Sequence, residues 1–426
     1  MMYKKHISVF LALCFIFSAF SCNSEKENYE SSDETETVSG AQTSVSSEED
    51  EKSFAFDSED DNSYELISES DEESTVSEEE IFESSESAEE SFSSEETSDA
   101  VSNIDESSEE DTEQSLDCTS EESSSSEETS EEIDPLLEQT FVIYSPEISY
   151  DLSWESEGLE LYNTEFRMSD TLAQKFKNQI NSFSNAQSIM LIELDTNMTF
   201  AYSKDTKIAT ASSIKGPVGL YVNKCIDAGI ISWDTYKSYQ PWHFQANSTG
   251  TVQNYAYGTA FSVETLMDYM IRISDNQAYL MLKELVGAAN FNRMMKTLGS
   301  SEIIAPGSNW GYITAKEMAS AWREIYYYSL ESESGAGLFD RYMHAQYNYI
   351  WRAIPQYEAA HKSGWSGKAF NDAGVVFADG HEYVLVVLCG RSGVKDPRSQ
   401  YQFTAITKLL AELMVEYNAY KAENGL

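Results

Sequence analysis

Cysteine is scarce in this chain: five among 426 residues, at positions 14, 22, 118, 225 and 389. That excludes a disulfide-stapled scaffold, and the two that fall in the foldable part, Cys225 and Cys389, read as buried small hydrophobes rather than a bridge. Histidine is as rare, and no Cys/His grouping has metal-ligand spacing, so neither metal nor cofactor is expected. Basic residues number 27 against 74 acidic, a formal charge of −47, which argues against nucleic acid as a partner. Long apolar runs are missing too. The longest, ISVFLALCFIFSAF near the start, is short for a membrane span.

That run is nonetheless informative. Lys4 and Lys5 precede it, as in an export signal, and it ends at Ser21-Cys22 with small residues Ala19 and Ser21 flanking Phe20. The junction resembles a bacterial lipoprotein processing site. The resemblance implies that residues 1–22 are a signal peptide and that Cys22 becomes the lipidated first residue. It further implies export, with the chain lipid-anchored to the outer face of the bacterial cell membrane; ordinary secretion with an incidental cysteine is the alternative. Residues 23–134 are dominated by Ser and Glu, as in EESSSSEETSEE. So little apolar surface cannot offset the entropy of folding, and the segment is expected to be a disordered acidic tether. From 135 to 426 the balance falls to 23 basic against 31 acidic residues. The acidity therefore belongs mainly to the tether and says little about the partner of the folded part.

Within 135–426, MSDTLAQKFKNQINSF has Leu172, Phe176 and Ile180 one turn apart behind a Ser169/Asp170 cap, which predicts a helix. SIMLIELDTNMTFAYS predicts a hairpin turning at Asp195-Thr196-Asn197. A second hairpin joins DAGVVFA to YVLVVLC through Asp379-Gly380, and the chain closes on a helix marked by Ile406, Leu409, Leu410, Leu413 and Met414. The roughly 170 residues between the hairpins read as mostly helical. The fold class is α/β in the α+β sense: an antiparallel sheet covered by the N- and C-terminal helices, with an inserted helical subdomain. A cleft at that junction is the natural place for a site. The stretch from 135 to 167 carries no clear pattern.

Three short motifs carry the chemistry. In TASSIKGPVGLYV, Ser212 and Lys215 lie three positions apart, on one face of a helix. A lysine whose amine is depressed by a helix dipole and by burial can take a serine proton. Ser213 has no such partner; the alternative is a merely polar helix start. A further Ser392/Lys395 pair in RSGVKD falls in an expected loop and reads as chance. Next comes Ser274-Asp275-Asn276, which either caps the following helix or supplies a hydroxyl relay, Ser274, and a substrate-holding amide, Asn276. The third is Lys362-Ser363-Gly364, opening a strand. Lys362 would offer positive charge to a carboxylate and depress Lys215, and Gly364 would let a ligand approach the backbone. The alternative is an edge-strand lysine that keeps the sheet soluble.

S-x-x-K, S-D-N and K-[ST]-G in this order resemble the signature set of the class A β-lactamases and related penicillin-binding enzymes. The likeness extends through SIMLIELDTNMTFAYSKDTKIATASSIKG, GTAFSVETLMDYMIRISDNQAYLMLKELVG and NDAGVVFADGHEYVLVV, covering Met168 to Tyr417. It implies that Ser212 attacks an amide carbonyl and becomes acylated, that Lys215 takes or relays the proton, and that Ser274 protonates the leaving nitrogen. Asn276, Lys362 and Ser363 would hold the substrate's amide and carboxylate, and the backbone N–H groups of Ser212 and Trp365, the residue after Gly364, would form the oxyanion hole. The implied substrates are a β-lactam or a D-alanyl-D-alanine peptide of peptidoglycan.

The resemblance fails in two places. Class A β-lactamases carry a glutamate, on a long loop before the third motif, that activates the deacylating water. Here the corresponding stretch, LGSSEIIAPGSNWGYITAKEMA, is too short for that loop, and Glu302, the one carboxylate between Leu298 and Thr314, is the candidate substitute base. No arginine is evident to assist Lys362. Loss of a placed general base typically costs about 3 to 5 kcal/mol in barrier height, so slow deacylation is expected. Three readings follow: a β-lactamase-like hydrolase, a D-alanyl-D-alanine peptidase, and a non-catalytic wall-binding lipoprotein.

Overall fold

The computed structural model describes residues 139–246 and 248–426. The expected signal peptide, Cys22 and the expected tether lie outside the described residues.

The unpatterned stretch before residue 168 supplies two strands, β1 (Leu152–Ser156) and β2 (Leu159–Tyr162). They turn tightly at Glu157-Gly158, where both residues take positive φ, 53° and 81°. Helix α1 (Asp170–Asn181) follows, its first turn capped by the Ser169 hydroxyl, which accepts the Leu172 N–H. Leu172, Phe176 and Ile180 face inward. Strands β3 (Gln187–Glu193) and β4 (Thr199–Tyr202) form the first predicted hairpin.

The middle of the chain is largely helical. A short strand β5 (Ile208–Ala209) leads through a 3₁₀ turn, Ala211–Ile214, into α2 (Lys215–Asp227). A ribbon of β6 (Tyr236–Ser238) and β7 (Ala260–Ser262) precedes α3 (Val263–Arg272), α4 (Asn276–Val286) and α5 (Ala288–Thr297). Strand β8 (Tyr312–Ile313) pairs with β5 and opens into α6 (Ala315–Glu331), α7 (Glu333–Met343) and α8 (Tyr349–Ala353). The chain then returns to the sheet as β9 (Glu358–His361), β10 (Gly364–Trp365), β11 (Ala369–Ala378) and β12 (His381–Gly390), and ends in α9 (Arg398–Asn424).

All pairings in the main sheet are antiparallel, in the order β1-β2-β4-β3-β12-β11-β10, with β9 also on β11. Every residue of β3 is buried, as a strand covered on both faces must be. Successive side chains alternate between two cores. Met190 and Ile192 join Val384, Val386 and the helical subdomain. Ile189 and Leu191 join Leu385, Val387, Phe176 of α1 and Phe403 and Leu410 of α9. The fold is therefore the expected one: terminal helices on one face, inserted helices on the other. Cys225 and Cys389 are free and buried. No helix among the described residues is long and apolar enough to cross a membrane.

Candidate active site

The turn that presents Ser212 is held from three sides. Asn371 of β11 donates to the Ala209 and Thr210 carbonyls at 2.9 and 3.2 Å. The Thr210 N–H donates to the Gly311 carbonyl at 2.9 Å. Ser213 turns inward, its hydroxyl donating to the Thr210 carbonyl at 2.6 Å. Ser212 lies on the 3₁₀ turn rather than on the helix proper, and Lys215 is the first residue of α2. Residues three apart eclipse on such a turn, which brings the Lys215 Nζ to 3.1 Å from the Ser212 Oγ. Pro217 falls in the first helical turn, where its missing N–H has no partner to lose.

Lys215 is fully buried. Its amine donates to the Ser274 carbonyl and to Asn276 Oδ1, both at 2.6 Å, and stands 3.2 Å from Ser274 Oγ. The first two partners can only accept. A neutral amine has two hydrogens for them and a lone pair left for the hydroxyls, so the geometry suits the uncharged form. Burial pushes the Lys215 amine well below its ordinary range, the Lys362 charge lowers it further, and Asp275 partly opposes both.

In the second motif the cap weighed for it is supplied by one residue. Asp275 is the cap of α4, accepting the Ala278 N–H at 2.9 Å, while its other oxygen takes the Thr251 and Val252 N–H groups at 2.6 and 2.8 Å. This leaves Ser274 and Asn276 free to face Lys215. Ser274 adopts φ +59°, a left-handed conformation that a non-glycine residue keeps only where its surroundings enforce it. Its hydroxyl lies between two amines, with Lys362 Nζ at 3.1 Å.

Lys362 is fully buried, not an exposed edge lysine. It sits between β9 and β10, and its amine also donates to the Ser363 carbonyl at 3.0 Å. Burial lowers it to about 8, against the opposing charge of Asp372. Ser363 is buried beside it.

Gly364 departs from expectation. A β-carbon there would stand 2.3 Å from the Ser213 nitrogen and 2.7 Å from that of Ser212, so the close neighbour is the backbone of the turn that presents Ser212. Along the same strand, Lys362 and Ser366 donate their N–H groups to Ala373 and Ala369, each at 2.9 Å. Donors alternate along an antiparallel ladder, so the Trp365 N–H points away from β11, off the sheet edge. The Trp365 side chain is exposed, with the Arg391 guanidinium 6.0 Å from its ring centre.

Glu302 does not join this cluster. It is exposed, and its backbone carbonyl accepts from Lys207 at 3.0 Å. Two aromatic residues not foreseen do join it: the Lys215 Nζ lies 5.6 Å from the Trp310 ring centre and 5.9 Å from that of Tyr279. Neither carried a sequence signal, since Trp310 sits in an irregular loop and Tyr279 reads as helix core. Ser392 pairs with Asn185 on the surface. Glu193, Asp195 and His381 lie at metal-ligating distances from one another, but the Lys421 amine already sits 2.6 Å from Glu193, so the cluster is closed as an ion pair.

A family model described as "Beta-lactamase enzyme family" matches residues 171–414. Among solved structures, PBP-A superposes with a TM-score of 0.54 at 22% identity, over 58% of this chain and 97% of that one. A point mutant of PBP-A, solved as an acyl-enzyme complex with penicillin G, gives the same values. A β-lactamase from Chitinophaga pinensis superposes with a TM-score of 0.52 at 18% identity, over 57% of this chain and all of that one. Among curated proteins none matches the sequence.

Proposed function

The chain belongs to the β-lactamase enzyme family, a family of serine hydrolases, and we propose that it opens the β-lactam amide by transferring the acyl group to Ser212. One observation carries this reading: the buried Lys215 amine lies within hydrogen-bonding distance of Ser212 Oγ and Ser274 Oγ, and Ser274 Oγ is in turn bonded to Lys362. In the first step the Lys215 lone pair takes the Ser212 proton as Oγ attacks the carbonyl carbon. Negative charge on the carbonyl oxygen is met by the Ser212 and Trp365 N–H groups. As the carbon–nitrogen bond breaks, Ser274 passes its proton to the leaving nitrogen and recovers one from Lys215. Lys362, with Asn276 and Ser363, holds the substrate's carboxylate and amide.

Release of the acyl group is proposed to be slow. The partners of the Lys215 amine are two hydroxyls, a carbonyl and an amide oxygen. The carboxylate nearest in sequence to them, Asp275, is spent on three backbone N–H groups. The same partner set favours a second reading, a D-alanyl-D-alanine peptidase whose natural acyl donor is a wall peptide and for which a β-lactam is a lingering mimic.

A chromogenic cephalosporin, followed by colour and by intact protein mass, separates the readings. Sustained turnover supports the hydrolase; a persistent one-to-one adduct supports the peptidase. No adduct, with Ser212→Ala matching the parent, would leave only a non-catalytic wall binder.

We also propose export and lipid anchoring through Cys22, from the signal-like residues before it. Cys22→Ser should move the protein from the membrane fraction to the soluble one, and an unchanged distribution would refute the anchor.

A further inference from the structure

The loop before β8 is pinned on both sides of Trp310. Tyr279 donates its hydroxyl to the Asn309 carbonyl at 2.7 Å, and Lys283 donates to the Ser308 carbonyl and to Asn309 Oδ1 at 2.9 and 2.7 Å. On the other side, the Gly311 carbonyl accepts the Thr210 N–H at 2.9 Å, and the Gly311 N–H donates to Thr210 Oγ1 at 3.3 Å. The indole between these anchors is therefore tied by hydrogen bonds to the turn that presents Ser212. It stacks on the Tyr279 ring at 4.8 Å between centres and 18° between planes, and the Lys215 amine lies beside the stack, 5.6 Å from the Trp310 centre and 5.9 Å from that of Tyr279.

The Lys215 amine bonds to two hydroxyls, a carbonyl and an amide oxygen, and the two rings are apolar surface beside it. Hydrolysis of an acyl-Ser212 ester needs a water molecule whose oxygen bonds to the acyl carbon. The carbon–Oγ bond breaks, and the proton that the water loses returns to Ser212 Oγ by way of a base. With Lys215 as that base, the water must stand beside the amine, where the indole lies.

We propose that Trp310, stacked on Tyr279, is a dry wall beside Lys215 that keeps the amine fit to accept the Ser212 proton and denies the acyl-enzyme its hydrolytic water. The indole is a positioning residue rather than a catalytic one. It sets how long the acyl group persists, and the inference rests on the acyl-Ser212 reading above.

The test uses the full chain with penicillin G, measuring adduct formation across pH and adduct decay after removal of free drug, both by intact mass. Trp310→Ala should shorten the adduct's lifetime by about tenfold or more. It should also move the acid limb of acylation to higher pH, because water admitted to the amine favours its charged form. Opposite effects on the two steps are what a merely damaged fold would not produce. Trp310→Phe should restore both values towards the parent, Trp310→Leu should fall between, and Tyr312→Ala, exposed on the neighbouring strand, should change neither. An unaltered or longer lifetime in the folded alanine or leucine variant overturns the wall. Turnover of penicillin G with no detectable adduct on the parent overturns the wall alone, and absence of both adduct and turnover overturns the acyl-enzyme reading and the wall with it.

Discussion

Gly364 is packed so tightly on the nucleophile turn that a β-carbon there would lie 2.7 Å from the Ser212 amide nitrogen. The obstructing atoms are backbone, which cannot rotate aside. Gly364→Ala must therefore push β10 and the Ser212 turn apart. A shift of even an ångström in reacting groups costs about a hundredfold, so acylation should fall by at least that much, with a loss of about 1–3 kcal/mol in stability from overpacking. Gly367→Ala is the control, since its β-carbon would meet Val394 at an ordinary 3.5 Å. Parent-like acylation in Gly364→Ala would show that the two segments are not coupled.

Ser212 and Ser213 are neighbours with opposite assignments. Only Ser212 faces Lys215; the Ser213 hydroxyl is committed to the Thr210 carbonyl. Ser212→Ala should abolish the penicillin adduct in intact-mass measurements. Ser213→Ala should keep it and lower stability by about 1 kcal/mol, the net worth of one hydrogen bond. An adduct on Ser212→Ala would reassign the nucleophile.

On the proposed acyl-Ser212 reading, two lysines should set the pH dependence of acylation. Lys215 must be neutral to accept a proton, and Lys362 must be charged to hold a carboxylate. Burial lowers both amines, Lys215 the more strongly and Lys362 to about 8. The rate should therefore rise as Lys215 loses its proton and fall again as pH passes about 8, where Lys362 loses its own. Removing the Lys362 charge in Lys362→Met takes a like charge away from Lys215, so the acid limb should move to higher pH while the alkaline limb disappears. Stopped-flow acylation across pH 5–10 reads both limbs, and an alkaline limb that survives in the variant would exclude Lys362 as its source.

What could be read from the sequence follows a physical divide. The hairpins turning at Asn197 and at Asp379-Gly380 were legible because continuous apolar runs meet residues that accept positive φ. Strand β1 was not: as an edge strand it keeps none of its five residues fully buried, and LSWES offers only two apolar residues, too few to mark a strand. Motif spacing placed Ser212 beside Lys215 because their contact is local. It could not assign the helix cap within Ser274-Asp275-Asn276, since all three residue types can cap. Nor could it tell an exposed Lys362 from a buried one, because that burial comes from α2 and α6, whose Gly216 and Trp322 pack beside it from far away in sequence. Trp310 was invisible for the same reason. Its place is fixed by Thr210 and Tyr279, not by its loop's own pattern.

The segment entering the domain is held by a buried charge pair. Lys224 Nζ lies 2.8 Å from Glu324 Oε1, with side-chain exposures of 4% and 0%. The Lys224 amine also donates to the Val142 carbonyl at 2.6 Å and stands over the Tyr144 and Tyr328 rings. Glu324 in turn accepts the Tyr144 and Ser145 N–H groups at 3.1 and 2.8 Å. A buried pair gains little over an apolar one, whereas a single buried charge left alone costs about 3–5 kcal/mol. Glu324→Gln should therefore lower the urea midpoint by that order and hasten proteolysis between residues 139 and 150. The double substitution Lys224→Met/Glu324→Leu should recover much of the midpoint, since no charge is stranded, yet leave the strap exposed to protease, since the acceptor of its N–H groups is gone. Acylation should survive in both variants, because none of these residues bonds to the Ser212 cluster. Equal midpoints in the single and double variants would mean that the strap is held by its aromatic contacts and not by the charge pair.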